Sequence, residues 1–244
     1  MEKLLGELVE KLKAAAGANL QAVALYGSAA GGDYHPKHSD LNVLCLLHQT
    51  SAPELRKLHD AVKWWERKRH PAPLIFTLEE IRNAADVYAI ELLEIKRHRR
   101  LLYGDDLFAS LEVPLRLHRL QVERELRDHL IRLRQAYISV AERRKELLPL
   151  MLRSASTFGL LFRHALMALG EEPPVAKHEA VEKLTALLGF DATSFKQIHE
   201  IRAGLRKPED PDIAATFASY LEAVTQAVNE LDKRFDALNQ GNRN

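Results

Sequence analysis

At 244 residues and 46% hydrophobic content, the chain can bury one large core or two modest ones, and its composition is neither disordered nor collagen-like. Lys and Arg number 35 against 34 Asp and Glu, a formal net charge of +1, so no broad field draws the whole chain to nucleic acid or to an anionic membrane. A single cysteine, Cys45, excludes an internal disulfide. The opening MEKLLGELVEKLKAAAG is no apolar leader, and no uncharged run is long enough to span a bilayer, so the expected place is the cytoplasm.

Leu4, Leu5, Leu8, Val9 and Leu12 recur at helical spacing up to Gly17 and predict an amphipathic first helix. Leu20 to Tyr26 is a short apolar run that ends at Gly27, as a strand entering a turn does. Gly31 to Ser39 gathers Gly, Asp, Pro and Ser and reads as a loop, after which Leu41 to Leu47 reads as a buried strand. Ala52 to Arg69 is helical in period, with Ser51 as cap and Pro53 in the first turn. Leu74 to Thr77 is a third strand, and Thr77 caps a short helix with Glu80 at the reciprocal position. Between Val87 and Tyr103 helix and strand compete. After Gly104 strand signals vanish. Leu126, Leu130, Leu133 and Tyr137 share one face of a long helix, and further helices are expected near 150–169, 175–188, 194–206 and 212–238. The fold class is therefore α+β: a domain with a small mixed sheet over residues 1–108, then an all-α helical bundle over 109–244.

The text LYGSAAGGDYHPKHSDLNVLCLL puts a Gly-Ser pair at the end of one strand and an acid at the start of the next. Small residues at such a turn let backbone amides and a hydroxyl approach phosphate groups, while carboxylates on the neighbouring strand can hold a hard cation. The stretch from Leu20 to Leu47, and residues 20–77 more widely, resembles the nucleotidyltransferases of the DNA polymerase beta superfamily. The helices that follow resemble the bundles attached to kanamycin-type and minimal nucleotidyltransferases.

The resemblance implies roles for particular residues. Gly27 and Ser28 match the Gly-Ser pair that holds a nucleoside triphosphate, and Asp40 matches the first acid of an acid-X-acid pair that holds magnesium. Asn42 stands where the second acid is expected; it offers a carbonyl oxygen but no charge and cannot act as a base. The family's third carboxylate usually lies on a later strand. Leu74 to Thr77 contains no acid, which leaves Glu91 or Glu94 as candidates. Lys37, in the loop before Asp40, either reaches a phosphate or stands solvated.

Weaker signals remain. His35, His38, Asp40, Cys45 and His48 cluster in sequence, but their spacing fits no closed zinc site. Trp64 and Trp65 are adjacent on a helix and cannot share a face, so one belongs to the core and the other is partly exposed. On an uninterrupted helix Arg116, Arg127 and Arg134 would fall within about 20° of one another. Such a stripe either borders the buried face, pairing with Glu123, or faces a cleft and receives the triphosphate. Arg124 and His129 fit the short Arg-x4-His pattern of the HEPN ribonucleases.

The resulting expectation is a protein that binds a nucleoside triphosphate with magnesium. If active, it transfers a nucleoside monophosphate to the hydroxyl of an unidentified acceptor and releases pyrophosphate, in a cleft closed by the bundle. The alternatives are a catalytically silent nucleotide- or partner-binding module of the same fold and a HEPN-type ribonuclease of a toxin–antitoxin pair. No membrane partner is expected, and charge does not indicate nucleic acid.

Overall fold

The computed structural model describes residues 1–31, 40–207 and 212–241. The chain separates into two compact units, Met1–Leu117 and His118–Asn244.

The first unit is built on a four-stranded mixed sheet in the order β3-β2-β1-β4, with β1 (Leu20–Tyr26), β2 (Asn42–Leu47), β3 (Leu74–Phe76) and β4 (Arg99–Gly104). The hairpin-related neighbours β1 and β2, and likewise β1 and β4, run antiparallel, while β2 and β3 are parallel across a helical crossover. Both faces of the central strands are covered, which is why their sequences are almost continuously apolar. Val23, Leu25, Val43, Cys45 and Leu47 face helix α1 (Glu2–Ala16) and Trp65 in one core cluster. Ala22, Leu44 and Leu46 pack with Ile81, Leu92, Ile95 and Phe108 in another. The period-2 alternation of strand side chains divides these residues between the two cores. In α1, Leu5, Leu8 and Leu12 are at most 1% exposed, so truncating any of them to Ala costs about 2–5 kcal/mol.

The expected helix over Ala52–Arg69 is two helices, α3 (Ala52–Lys57) and α4 (His59–Arg67). The amide of Leu58 bonds to the carbonyl of Leu55, a tightened i→i+3 turn that interrupts the helix and accompanies the burial of Leu58 in the α1 core. Trp65 is fully buried and Trp64 partly so, the division their adjacency requires. Ser51 occupies the N-cap position without a side-chain cap bond. At α5 (Leu78–Asn83) the capping box is complete: Thr77 Oγ1 accepts from the Glu80 amide at 3.1 Å, and the Thr77 amide donates to Glu80 Oε2 at 2.6 Å. The ambiguous stretch after Val87 holds both element types in succession, α6 (Ala89–Arg97) and then β4. Gly104 closes β4 with φ +78°, and a Cβ there would lie 1.9 Å from the Gln21 carbonyl oxygen, so the edge pairing with β1 tolerates only glycine.

The second unit is all helix: α7 (His118–Val140), α8 (Arg144–Ala168), α9 (Lys177–Leu188), α10 (Thr193–Arg202) and α11 (Ile213–Gly241). Leu126, Leu130 and Leu133 are buried along α7, and Tyr137 stacks on Phe217 at 4.4 Å. Phe162 lies 5.9 Å from Phe190 and 5.7 Å from Phe195, and Tyr220 donates to Ser154 Oγ at 2.9 Å from full burial. The core also holds a polar pair, His118 and His164, joined ring to ring at 2.9 Å. Arg116 is not part of α7, which begins at His118; a turn over 116–117 follows Pro114, whose missing amide and constrained φ disfavour helix there. The three-arginine stripe is therefore not one helical face.

Candidate functional site

The site begins where β1 ends. Gly27 has φ +77°, in the left-handed region, and turns the chain sharply into the short helix α2 (Ser28–Gly31). The amides of Ala30 and Gly31 both return to the Gly27 carbonyl at 3.0 Å. Those of Ser28 and Ala29 open the turn, where a helix start has no intrahelical acceptor. The Gly27 amide donates to the His98 carbonyl at 3.1 Å, which ties the turn to the junction of α6 and β4. The imidazole of His98 lies over Gly31, where a Cβ would come 2.9 Å from Nδ1.

The register of β1 and β2 supplies the second half. Tyr26 pairs with Asn42, and a Cβ on Gly27 would meet Asn42 Nδ2 at 3.3 Å. Leu41 is 1% exposed and points into the core, whereas Asp40 is exposed and Asn42 half-buried. Gly27, Ser28, Asn42 and, just ahead of the strand, Asp40 thus meet at one end of the β1–β2 pair.

His70 completes this neighbourhood and has no sequence signal. Its Nδ1 accepts a long hydrogen bond from the Leu41 amide at 3.4 Å, and its ring lies on Trp65 with centroids 4.6 Å apart. Burial pushes its pKa down, and the Asp40 carboxylate pulls the other way, so His70 lies within the field of the site's one described acid. His98 escaped the sequence reading for the same reason. Both are placed by tertiary packing, some 30 and 58 positions after Asp40 in numbering, and neither stands at a motif spacing.

Glu91 is exposed in the first turn of α6, with Glu94 half-buried further along. Neither β3 (LIF) nor β4 (RRLLYG) carries an acid, and among the described residues no three His, Cys, Asp or Glu side chains are grouped to hold a metal. Lys37, His35 and His38 lie outside the described residues. Cys45 is buried in β2, and burial pushes its thiol up to about 12, which disfavours the reactive thiolate. Arg127 belongs to the second unit, where its guanidinium reaches Asp232 at 2.5 Å and Glu123 at 3.5 Å; the bond to Asp232 chiefly raises its pKa. Arg134 donates to Thr225 at 3.4 Å. Arg124 is largely exposed, 3.9 Å from Asp128, and His129 lies 3.7 Å from Glu125.

The first unit thus sets a glycine turn and a hydroxyl at one end of β1 against an amide at the start of β2 and a carboxylate just ahead of it. Residues 1–98 match the family model of the nucleotidyltransferase domain. No curated protein matches the chain. Among solved structures it is similar to a spectinomycin adenyltransferase from Enterococcus faecialis crystallised with ATP and spectinomycin. That likeness has 15% identity and a TM-score of 0.53 and spans 93% of this chain and 98% of that one, so it shows a shared fold. A toxin–antitoxin structure with AMP-PNP aligns over 56% of this chain and 98% of its own at 19% identity and a TM-score of 0.33. The family model thus covers the N-terminal part of the chain, and the likeness to the adenyltransferase shows a shared fold. No helix among the described residues is long and apolar enough to cross a membrane.

Proposed function

We propose that the protein binds a nucleoside triphosphate at the Gly27–Ser28 turn, with one magnesium ion held by Asp40. Its reaction class is transfer of a nucleoside monophosphate to a hydroxyl acceptor, slowed by the loss of the second acid. The observation that carries this reading is the strand register that sets Asn42 against Gly27, with Asp40 two residues before it.

The donor set fits one hydrated magnesium rather than two. Magnesium keeps several waters and is commonly bound through one or two carboxylates and the substrate's own phosphates, and Asp40 supplies one carboxylate. Asn42 adds a neutral oxygen. When bound, the ion would neutralise charge on the phosphates. The backbone amides after Gly27 and the Ser28 hydroxyl orient the phosphate chain. In the transfer, the acceptor oxygen bonds to the α-phosphorus as the bond from that phosphorus to the β-phosphate's bridging oxygen breaks. Pyrophosphate leaves and the acceptor's proton is lost. Asn42 cannot take that proton. Arg127 has no part in the reading, because Asp232 and Glu123 already engage its charge.

The same residue favours a second reading, a module that binds the nucleotide and transfers nothing. Asn42 lacks the charge that two ions require, and no third carboxylate lies on β3 or β4. Calorimetric titration of the full chain with ATP, with and without magnesium, tests the feature both readings share. Magnesium should tighten binding, and Asp40→Ala should erase the difference. Absence of ATP binding under both conditions overturns both. Incubation with labelled triphosphates and a panel of hydroxyl acceptors then separates transfer from binding alone.

A further inference from the structure

The amide of Leu41 lies in the same rigid peptide plane as the carbonyl of Asp40. Whatever holds that amide therefore fixes the backbone of Asp40 and the direction in which its carboxylate leaves the chain. Leu41 stands one residue ahead of β2, whose first ladder pair joins Asn42 to Tyr26. It is 1% exposed, and a buried amide needs an acceptor. The acceptor is a side chain, His70 Nδ1, at 3.4 Å.

That bond is long, so it can hold the amide only if the ring is itself held. Trp65, fully buried, lies against the imidazole with planes 34° from parallel. The backbone on either side of His70 is constrained as well. Arg69 has φ 66°, the one positive φ outside glycine among the described residues, in a left-handed conformation that is unfavourable for a side chain of its size. Its amide returns to the Glu66 carbonyl at 2.9 Å and closes the end of α4 in a tight turn. Pro71 follows, and the residue before a proline is pushed towards extended backbone. Strain of the kind seen at Arg69 persists where the surroundings over-determine it, and here it delivers His70 to the Leu41 amide. The field of the Asp40 carboxylate reaches the same ring.

We propose that His70 is a positioning residue: through the Leu41 amide it fixes Asp40 in the orientation that receives magnesium. The role rests on the reading of Asp40 as the ligand of that ion.

The test compares His70→Phe, which keeps a ring for Trp65 but has no acceptor, with His70→Asn, whose side-chain oxygen stands as many bonds from Cα as Nδ1 does. Each is made in the 15N-labelled full chain and followed by amide hydrogen exchange and by calorimetry with ATP. In His70→Phe the Leu41 amide should exchange about fivefold or more faster, while the Cys45 amide, inside β2, keeps its rate. The tightening of ATP binding by magnesium should fall by about threefold or more in His70→Phe and stay within about twofold of the natural chain in His70→Asn. Affinity without magnesium should move by no more than about twofold in either. Unchanged Leu41 exchange in His70→Phe, full magnesium tightening in that variant, or equal losses in Phe and Asn would each overturn the proposal. Should Cys45 exchange accelerate in His70→Phe, His70→Leu takes its place under the same criteria. A natural chain in which magnesium does not tighten ATP binding overturns the nucleotide reading and this role with it, whereas tightening in the natural chain that His70→Phe retains overturns the role alone.

Discussion

Acidification should loosen the helical bundle well before it disturbs the sheet domain, because the bundle buries a histidine pair. His118 is 2% exposed and His164 fully buried, and their rings share one hydrogen bond, Nε2 to Nδ1, at 2.9 Å. That bond sets an N–H of one ring against a bare nitrogen of the other, and a proton added to His118 would bring a charge into an apolar core. Burial first, and His164 second, push the His118 pKa down from 6.5 to about 4. Between those two values the unfolded chain binds more protons than the folded one, so stability falls as pH falls through this window. Over that interval the loss amounts to about 3 kcal/mol by pH about 4. Both tryptophans, Trp64 and Trp65, lie in the first unit, so their fluorescence reports the sheet domain, while far-UV circular dichroism is weighted towards the longer helices of the second unit. In urea titrations at pH about 7.5 and about 5, the dichroism midpoint should drop more than the fluorescence midpoint. In His118→Gln, which is less stable at neutral pH, the acid-induced drop should shrink by more than half. An equal drop in variant and natural chain would refute the reasoning, since the pair would then carry none of the pH dependence.

Three further outcomes follow from the geometry. Gly27→Ala places a Cβ at φ +77° and 3.3 Å from Asn42 Nδ2; it should cost about 1 kcal/mol of stability and weaken ATP binding in calorimetry, and unchanged affinity would remove the turn from the site. Gly104→Ala, with a Cβ 1.9 Å from the Gln21 carbonyl oxygen, should force β4 off β1 and lower the melting temperature of the first unit by more than any other single glycine substitution there, as read by tryptophan fluorescence. Arg127→Met keeps the apolar stem and removes a half-exposed ion pair with Asp232; the bundle should lose no more than about 1 kcal/mol while ATP affinity stays the same. Weaker ATP binding at unchanged stability would return Arg127 to the nucleotide site.

Much of the candidate site was legible because it is local. The run ending at Gly27, the Gly-Ser pair and the apolar strand after Asp40 each declare themselves within a few residues, and so does the Thr77–Glu80 capping box. The ambiguity after Val87 reflects a real junction, for a helix and a strand meet there at His98 with no Gly or Pro to mark the break. What pattern could not show depends on packing. His70 reaches the Leu41 amide only because α4 returns Trp65 to the core beneath it. The break at Leu58 preserves the apolar period of two helices and so reads as one. The arginine stripe assumed a helix running back through Arg116, and the turn after Pro114 prevents it.

Residue 42 is where the account is most exposed, since a carboxylate there would complete the acid pair that the natural chain lacks. The magnesium dependence of ATP affinity, measured by calorimetry on the natural chain and on Asn42→Asp side by side, tests whether this end of the β1–β2 pair is the nucleotide and metal site. An added carboxylate beside Asp40 should raise the tightening that magnesium produces by about tenfold, while affinity without magnesium stays the same or falls. Identical magnesium dependence in the two proteins would show that residue 42 does not face the ion, and the placement of the site would be wrong.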